Sequence, residues 1–194
     1  MKIVMATNNR HKFDEIQNMV SGKIKILKLS DITEITELPE TSDTLEENAL
    51  EKARFIYDNF NVNCFADDTG LEVEALDGRP GVYSARYAGP NCSAQDNMEK
   101  LLQEMQGIDN RKAIFRTVIV SIIDGHVSYH EGSVEGEITR ELSGVKGFGY
   151  DPIFLPSGYN KTFAEMTMDE KNKISHRKRA ITNFLLLFDL NNLV

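Results

Sequence analysis

The sequence has few of the residues that mark several classes of protein. Its two cysteines, Cys64 and Cys92, are too few for a disulfide scaffold and do not form the CxxC pair of a zinc site. A basic excess is also missing, because the 194 residues carry a net charge of -8, which argues against a protein that coats DNA or RNA. No apolar run approaches the roughly 18 residues that span a bilayer, and the N-terminus turns polar too early for a signal peptide. We therefore expect a soluble protein of the reducing cytoplasm, without a membrane or nucleic-acid partner.

The pattern of apolar residues predicts a mixed α/β fold. Apolar runs predict strands over 2–6, 24–29, 63–66, 71–76, 113–123, 126–139 and 152–155, and Asp124-Gly125 is a type I′ turn signal. A first helix is predicted through Phe13, Ile16, Gln17 and Val20, ending at Gly22, and later helices are expected to begin at Thr44, Ser93, Thr167 and Ser175. Strand–helix alternation followed by a hairpin indicates a mixed twisted sheet with flanking helices. Since no repeat or linker is present, we expect one domain over residues 1–194, with two lobes.

Thr7-Asn8-Asn9-Arg10-His11-Lys12 lies between the first predicted strand and the first predicted helix. A helix N-terminus offers free N–H groups and a partial positive charge, and small polar residues with a lysine are typical of phosphate binding there. A plain turn with an ordinary N-cap accounts for the same residues. Both interpretations stay open on this segment alone.

Asp67-Asp68-Thr69-Gly70 lies between two apolar stretches. Paired carboxylates at a strand end suit a hard cation such as Mg²⁺, and one of them could orient or deprotonate an attacking water. An Asx-turn is the alternative, because Asp and Gly are common turn residues. Further carboxylates, of Glu40, Glu46 and Glu47, lie near the start of the helix that Thr44 caps, and Glu46 is best interpreted as support for the helix dipole.

Gly147-Phe148-Gly149-Tyr150-Asp151-Pro152 is a glycine-rich segment around an aromatic residue. Glycines on both sides leave the ring of Phe148 open, so a base could stack on it, and the carboxylate of Asp151 could accept from a ring N–H. The alternative is a glycine-rich bend around a core aromatic residue.

Residues 171–179 form a local basic excess in an acidic chain. Such an excess fits a polyphosphate or an oxo group on a ring, whereas a solvated helix face is the alternative, preferred for the last two basic residues. Lys171 and His176 are about 140° apart on one continuous helix, so they converge only if the helix breaks, for which Ser175 provides a cap. Taken together, the four segments indicate a site for a nucleoside triphosphate.

In these segments and in their order, the sequence resembles the inosine triphosphate pyrophosphatase family, the Ham1-like non-canonical purine nucleoside triphosphatases. The resemblance covers nearly the whole chain. Its further motifs are Glu47-Asn48-Ala49 with Lys52-Ala53, the run GRPGVYSARY over 78–87, and Glu170-Lys171 with Ile174-Ser175-His176-Arg177. Several long motifs in one order make the resemblance specific.

The resemblance implies two lobes around a central cleft that holds the active site, and a homodimer. It implies Mg²⁺-dependent hydrolysis of inosine, deoxyinosine and xanthosine triphosphates to the monophosphate and pyrophosphate. By matching positions, Asp68 is expected to be the metal ligand and proton acceptor, with Glu40 as a second metal ligand. The expected substrate-binding residues are Thr7, Asn8, Asn9, Arg10, His11 and Lys12 for the triphosphate, Thr69, Phe148, Gly149, Tyr150 and Asp151 for substrate and base, and Lys171, His176 and Arg177 to close the site.

The chain departs from the family pattern at three positions. Glycine is common where Asn8 stands, and Asn is the next most tolerant residue of a left-handed backbone. Thr69 replaces a serine and keeps its hydroxyl. The second acidic metal ligand falls in an ambiguous register, at Pro39 or Glu40.

For this family, we expect water to attack the α-phosphorus with pyrophosphate leaving, while Lys12 and Lys171 neutralise charge on the phosphates. Donors from His176 and Arg177 would pair with a purine 6-oxo group, and ATP would leave them facing another donor. Two alternatives stay open. One is a pyrophosphatase for pyrimidine or other modified nucleotides, and the other is a non-catalytic nucleotide-sensing module, which would have no need of paired aspartates.

Overall fold

The helices and strands lie close to the predicted positions in a computed structural model, which describes residues 1–20, 24–35 and 37–190. The helices are α1 (Arg10–Met19), α2 (Leu45–Phe60), α3 (Ala94–Glu104), α4 (Met168–Ile174) and α5 (His176–Leu190). The strands are β1 (Lys2–Met5), β2 (Lys25–Leu27), β3 (Cys64–Val73), β4 (Pro80–Gly81), β5 (Lys112–Ile123), β6 (His126–Ile138) and β7 (Phe154–Pro156).

The seven strands form one mixed sheet in the order β2-β1-β3-β5-β6-β7, and β4 pairs with β3. β1 runs parallel to both β2 and β3. The antiparallel pairs place Leu71 of β3 opposite Gly81 of β4, and Ile138 of β6 opposite Phe154 of β7. The predicted mixed α/β sheet with flanking helices is therefore confirmed.

Two compact units divide the chain. Unit 1 contains the described residues of Met1–Asp68, Thr117–Gly132 and Arg177–Val194, and unit 2 contains Thr69–Arg116 and Ser133–His176. The chain changes units within β3, β5 and β6 and at the start of α5. That residues 1–194 act as one domain stays a prediction.

Each unit has its own apolar core. In unit 1, β1, β2, β3, β5, α1 and α5 contribute core side chains, and the rings of Phe65 and Phe184 lie 5.0 Å apart between centroids. In unit 2, the rings of Phe115 and Phe154 lie 4.7 Å apart, and Phe163 packs beside them. Because full burial of one such side chain contributes about 1.5–3 kcal/mol, these cores stabilise the elements that carry the polar residues below.

Side-chain caps set where the helices begin. Thr44, Ser93 and Thr167 each accept a hydrogen bond from the backbone N–H three residues further on, as the sequence predicts. Asn9 caps α1 in the same way. Among the helices of the described residues, none has the length and apolarity that a membrane span requires.

Two predicted breaks in regular structure are present. Asp124 and Gly125 have φ values of 49° and 82°, which is the pair of positive angles that a type I′ turn needs between β5 and β6. Ser175 has an extended backbone, with φ -65° and ψ 153°, and separates α4 from α5. Both breaks follow from local residue chemistry, and both predictions are confirmed.

β3 differs from the prediction because it continues through Asp67-Asp68-Thr69-Gly70 to Val73. The prediction that these residues stand at a strand end is wrong, and so is the alternative of an Asx-turn. Gly70 permits a close approach of two strands, since a Cβ there would lie 2.7 Å from the carbonyl oxygen of Gly81 in β4. The polar residues before it therefore lie inside a strand.

Smaller differences concern element ends. β7 begins at Phe154 and not at Pro152, because Asp151–Ile153 forms a 3₁₀ turn, in which the fixed φ of proline is tolerated. Glu74–Leu76 is also a 3₁₀ turn and not the end of a strand. Gln17, placed with the apolar side of α1 by its spacing, is exposed. Gly22, expected to end that helix, lies outside the described residues.

Candidate active site

The segment between β1 and α1 is built as a helix cap. The side chain of Asn9 accepts from the N–H of Lys12 at 3.2 Å, and the hydroxyl of Thr7 accepts from the N–H of Asn9 at 3.2 Å. The exposed residues of the segment are Asn8, Asn9, Arg10 and His11. The N-cap is therefore confirmed, while phosphate binding at this helix N-terminus stays a prediction.

Asn8 does not need the left-handed backbone for which the sequence analysis made allowance. In the described part of the chain, the residues other than glycine with positive φ are Asn61, Asp77, Asn91 and Asp124. The backbone at position 8 therefore makes no special demand for glycine, and the departure from the family pattern has no conformational cost there.

Asp67 and Asp68 face opposite sides of β3, because successive side chains of a strand alternate. Phe65, two residues before Asp67, packs with side chains of α1 and α5. Cys64, four residues before Asp68, donates from its Sγ to the carbonyl oxygen of Ala53 in α2. The adjacent carboxylates therefore have different side-chain partners, and the prediction of Asp68 as a metal ligand does not depend on Asp67.

Asp67 lies within a buried group of charges in unit 1. Its Oδ2 lies 3.1 Å from Nζ of Lys12 and 3.5 Å from Nε of Arg177. Burial by itself would raise the pKa of Asp67, but the positive charges of Lys12, Arg177 and Lys52 hold this pKa at about 2. The carboxylate is thus ionised across the working range of most enzymes, and it suits an anchor for cations better than a proton acceptor.

Arg177 also forms a fully buried ion pair with Glu15 of α1. Carboxylates from α1 and β3 together offset the cost of burying the guanidinium. No sequence signal marked Glu15, which is a charged residue among the apolar positions of α1. The structure therefore places Arg177 with the charges of unit 1, whereas the sequence analysis assigned it to the base, and a base contact stays a prediction.

Lys52 of α2 joins the carboxylates of Glu40 and Asp68. Its Nζ lies 2.6 Å from Oε1 of Glu40, 3.0 Å from Oδ1 of Asp68 and 2.8 Å from the carbonyl oxygen of Asp67. Lys52 is not among the predicted site residues, although its position in a predicted helix is a signal. Lys52 shares the buried face of α2 with Leu45, Asn48, Ala49, Ala53 and Ile56.

The pKa values of Lys52 and Asp68 are both shifted. Burial would lower the pKa of Lys52, yet Asp68, Glu40 and Asp67 raise it above its ordinary value. Burial raises the pKa of Asp68, and the attraction of Lys52 and Lys12 offsets that rise only in part. Of the two adjacent aspartates, Asp68 therefore binds a proton more readily, which is what a proton acceptor requires.

The carboxylates of Glu40 and Asp68 fit a hard divalent cation. Each has an oxygen within 3.0 Å of Nζ of Lys52, so both carboxylates contact the same positively charged group. Mg²⁺ typically takes one or two carboxylates and keeps several waters. Across the described residues, no cluster of three or more His, Cys, Asp or Glu side chains could hold a metal ion. A cation here would therefore need water or phosphate oxygens as further ligands.

Lys171 and Asp151 form the main charged pair of unit 2. Nζ of Lys171 lies 2.6 Å from Oδ2 of Asp151, and the same oxygen accepts from the N–H of Phe148 at 2.8 Å. Nζ also lies 5.0 Å from the centroid of the Phe148 ring, within the range of a cation–π contact. The two charged side chains are buried and the ring is half-buried, so the pair fixes where the ring lies.

Gly147 leaves space for the carboxylate of Asp151 to lie against the backbone of its own loop. This glycine has a φ of +73°, and a Cβ on it would lie 2.0 Å from Oδ2 of Asp151. Any other residue would be strained in this backbone and would collide with the carboxylate. The glycine therefore makes room for the hydrogen bond that the N–H of Phe148 donates to Asp151, a role that loop composition alone did not predict.

Tyr150 and His176 lie in the interior of unit 2. The hydroxyl of Tyr150 donates to the carbonyl oxygen of Ser84 at 2.9 Å, and the ring of His176 stacks on Phe115, with centroids 4.6 Å apart. These contacts favour packing roles, and contacts of either residue with a base stay predictions. Two further predicted residues, Thr69 and Gly149, are half-buried.

Comparison with known proteins gives consistent matches over nearly the full length. A model described as the Ham1 family matches residues 3–186. A dITP/XTP pyrophosphatase of Christiangramia forsetii is 51% identical over 177 residues, which are 91% of this chain and 93% of that protein. Another, from Porphyromonas gingivalis, is 50% identical over 189 residues, or 95% of this chain and 97% of that protein.

Solved structures give the same result for the fold. The Ham1 protein of Staphylococcus aureus matches with a TM-score of 0.87 and 38% identity, over 99% of this chain and 98% of that chain. A HAM1 protein from Coxiella burnetii matches with a TM-score of 0.88 and 35% identity, over 100% of both chains. The fold of this chain is therefore that of these proteins.

The low pKa of Asp67 predicts a specific loss of stability in acid. In the absence of metal, the ionised carboxylate contributes about 2 kcal/mol above pH 4, because its pKa is lower in the folded than in the unfolded chain. This contribution falls as the pH drops from about 4 to about 2, and roughly half is gone at pH 3. Urea unfolding at pH 5 and pH 3 measures it. Asp67→Asn should have a lower free energy of unfolding than wild type at pH 5. Between pH 5 and pH 3 it should lose about 1 kcal/mol less of this free energy than wild type. Equal losses in the two proteins would refute the low pKa of Asp67.

Proposed function

Since the chain belongs to the Ham1 family, we propose that it hydrolyses non-canonical purine nucleoside triphosphates, namely dITP, ITP and XTP, to the monophosphate and pyrophosphate. Relatives at about half identity over nearly their whole length carry the name dITP/XTP pyrophosphatase. The observation that carries the proposal is the group of Glu40, Lys52 and Asp68 in unit 1, with Lys12 beside it on Asp67. Lysines and oxygen ligands of this kind suit a polyphosphate with its cation.

Mg²⁺ is the cation that we propose for Glu40 and Asp68. When bound, it supplies neutralisation of the negative charge on the phosphates. Lys52 holds the two carboxylates at one point, and its own positive charge limits their mutual repulsion. The support for Glu40 over the neighbouring Pro39 is that only Glu40 offers a carboxylate at this place.

The residues of unit 1 perform three tasks in this proposal. Asp68, which reaches Lys52 from β3, accepts the proton of the water that attacks the α-phosphorus. Lys12 donates to the phosphates, and Asp67 holds its ammonium in position. Thr7, the exposed residues Asn8 to His11 and the N-terminus of α1 contribute further donors to the triphosphate. Phosphoryl transfer of this kind asks little covalent chemistry of the protein.

In unit 2, we assign the base to Phe148 and its loop. The ring offers a π-face for stacking, and Lys171 with Asp151 fixes its position. Gly149, Thr69 and Tyr150 stay candidates for substrate contact, and His176 stays the candidate donor to the 6-oxo group. Arg177 also stays a candidate for the 6-oxo contact, although its buried pair with Glu15 supports a structural role as well.

The assembly and location are also proposals. We propose a homodimer in the cytoplasm, without nucleic acid or membrane as a partner. Two free cysteines, Cys64 and Cys92, agree with a reducing compartment, and the dimer rests on the family resemblance. Sedimentation of the purified chain measures the oligomeric state directly.

A substrate panel tests the proposed activity. Purified protein is incubated with dITP, ITP, XTP, GTP and ATP, each with and without Mg²⁺, and pyrophosphate and orthophosphate are measured separately. We expect pyrophosphate from the first three nucleotides, far less from GTP and ATP, and none without a divalent cation. Turnover of pyrimidine or methylated nucleotides in preference to these purines would favour the related pyrophosphatases, and binding without turnover would favour a sensing module.

Asp68→Asn is expected to lower kcat for dITP at least about a hundredfold, because the amide can neither accept the proton nor ligate the cation with a charged oxygen. The fold should be retained, since an amide oxygen still accepts from Lys52. Glu72→Gln, on the same strand and paired with Arg116, is the matched control and should leave kcat unchanged. A folded Asp68→Asn variant with a rate near wild type would remove Asp68 from the mechanism.

Phe148→Ala is expected to weaken nucleotide binding by about 1–3 kcal/mol, the usual contribution of a base stacked on an aromatic ring. The loss should be similar for dITP and XTP, because a π-face does not distinguish their exocyclic groups. Calorimetric titration of the monophosphate products measures it. Tyr159→Ala removes another half-exposed ring of unit 2 and serves as the control. Unchanged affinity in Phe148→Ala would show that the residue only packs the loop.

A further inference from the structure

Glu51 of α2 binds the backbone next to Glu40. One of its carboxylate oxygens, Oε2, accepts from the N–H of Thr41 at 2.9 Å. The other, Oε1, accepts from the hydroxyl of Thr41 at 3.0 Å and from the hydroxyl of Ser42 at 2.6 Å. One side chain therefore binds three donors from the two residues that follow Glu40.

Asn48, on the same helix, completes this attachment. Its Oδ1 accepts from the N–H of Ser42 at 2.9 Å, and its Nδ2 donates to the carbonyl oxygen of Ser42 at 3.1 Å. The Asn48 side chain is buried, so these two bonds are shielded from water. Together with the bonds of Glu51, five hydrogen bonds attach residues 41 and 42 to α2.

The attachment matters because regular structure does not hold Glu40. The described residues between the 3₁₀ turn Leu29–Asp31 and α2 form neither a helix nor a strand. The Glu40 side chain itself is 37% exposed, yet its Oε1 lies 2.6 Å from Nζ of Lys52. Lys52 follows Glu51 directly on α2. The helix that carries Lys52 therefore also holds the backbone next to Glu40, whose side chain contacts Lys52.

We propose that Glu51, assisted by Asn48, is a positioning residue that holds Glu40 against Lys52 and Asp68 and thereby completes the carboxylate pair for the divalent cation. The inference rests on the proposed function, because it requires Glu40 to be a ligand of that cation. A carboxylate suits the task, since hydrogen bonds to a charged acceptor are stronger than those between neutral groups. The hydrogen bonds from Ser42 and Thr41 lower the pKa of Glu51 and so keep it charged.

Glu51→Ala tests this role with two readouts on the full-length protein. Amide hydrogen exchange at Thr41 and Ser42 should become faster, since one N–H loses its acceptor and the anchoring of the other loosens. The Mg²⁺ concentration for half-maximal dITP hydrolysis should rise about tenfold, as is common when a group that orients a metal ligand is removed. At saturating Mg²⁺, kcat should stay near wild type. Glu51→Gln keeps one acceptor oxygen and should restore much of both properties.

Thr44→Ala is the matched control, because it removes the N-cap of the same helix without touching the bonds to residues 41 and 42. It should lower the melting temperature and leave the Mg²⁺ dependence unchanged. If Thr44→Ala raises the Mg²⁺ requirement as much as Glu51→Ala does, helix stability explains the effect and the positioning role is overturned.

Glu40→Gln separates failure of this inference from failure of the proposed function. If Glu40→Gln raises the Mg²⁺ requirement but Glu51→Ala changes neither that requirement nor the amide exchange, only the positioning role of Glu51 is overturned. If Glu40→Gln leaves the Mg²⁺ dependence unchanged, Glu40 is no ligand and the inference falls with that assignment. Absence of pyrophosphate release by the wild-type protein would overturn the proposed function itself.

Discussion

The contacts of the buried Lys52 ammonium are the interaction on which the rest of unit 1 depends. A lysine charge taken out of water is costly unless carboxylates and carbonyls surround it, and here Glu40, Asp68 and the carbonyl oxygen of Asp67 do so. This requirement brings together three separate pieces of the chain. β3 must pass beside α2 without a turn, and the irregular residues before α2 must be held close enough for Glu40 to reach the same nitrogen.

A second consequence concerns the two adjacent aspartates. Their side chains lie on opposite faces of the strand, so their surroundings shift the two pKa values in opposite directions. Lys12 and Arg177 hold Asp67 ionised, whereas burial leaves Asp68 with a raised pKa. Without a metal, Asp67 is thus held ionised while Asp68 has the higher pKa of the two, a difference that environments rather than residue types produce.

Unit 2 also contains a buried lysine–carboxylate pair that positions other residues. The buried pair of Lys171 and Asp151 fixes a loop, and the loop presents Phe148. Gly147 is needed because the carboxylate occupies the space that a Cβ would fill. In both units a lysine and a carboxylate neutralise each other in the interior, and the groups assigned to the nucleotide are positioned by that pair.

Apart from β4 and the unbroken β3, sequence alone determined the order of strands and helices, the caps at Thr44, Ser93 and Thr167, the hairpin turn and the family. These features depend on residues a few positions apart or on long motifs. It also identified the segments around Asp68 and Phe148. Only the tertiary structure separated Asp67 from Asp68, gave Lys52 its three partners and joined Glu15 to Arg177, 162 residues further along the chain. Such pairings depend on the alternation of side chains along strands and on how helices pack. The tertiary fold decides which charges meet in the interior, and no periodic pattern in the sequence indicates them.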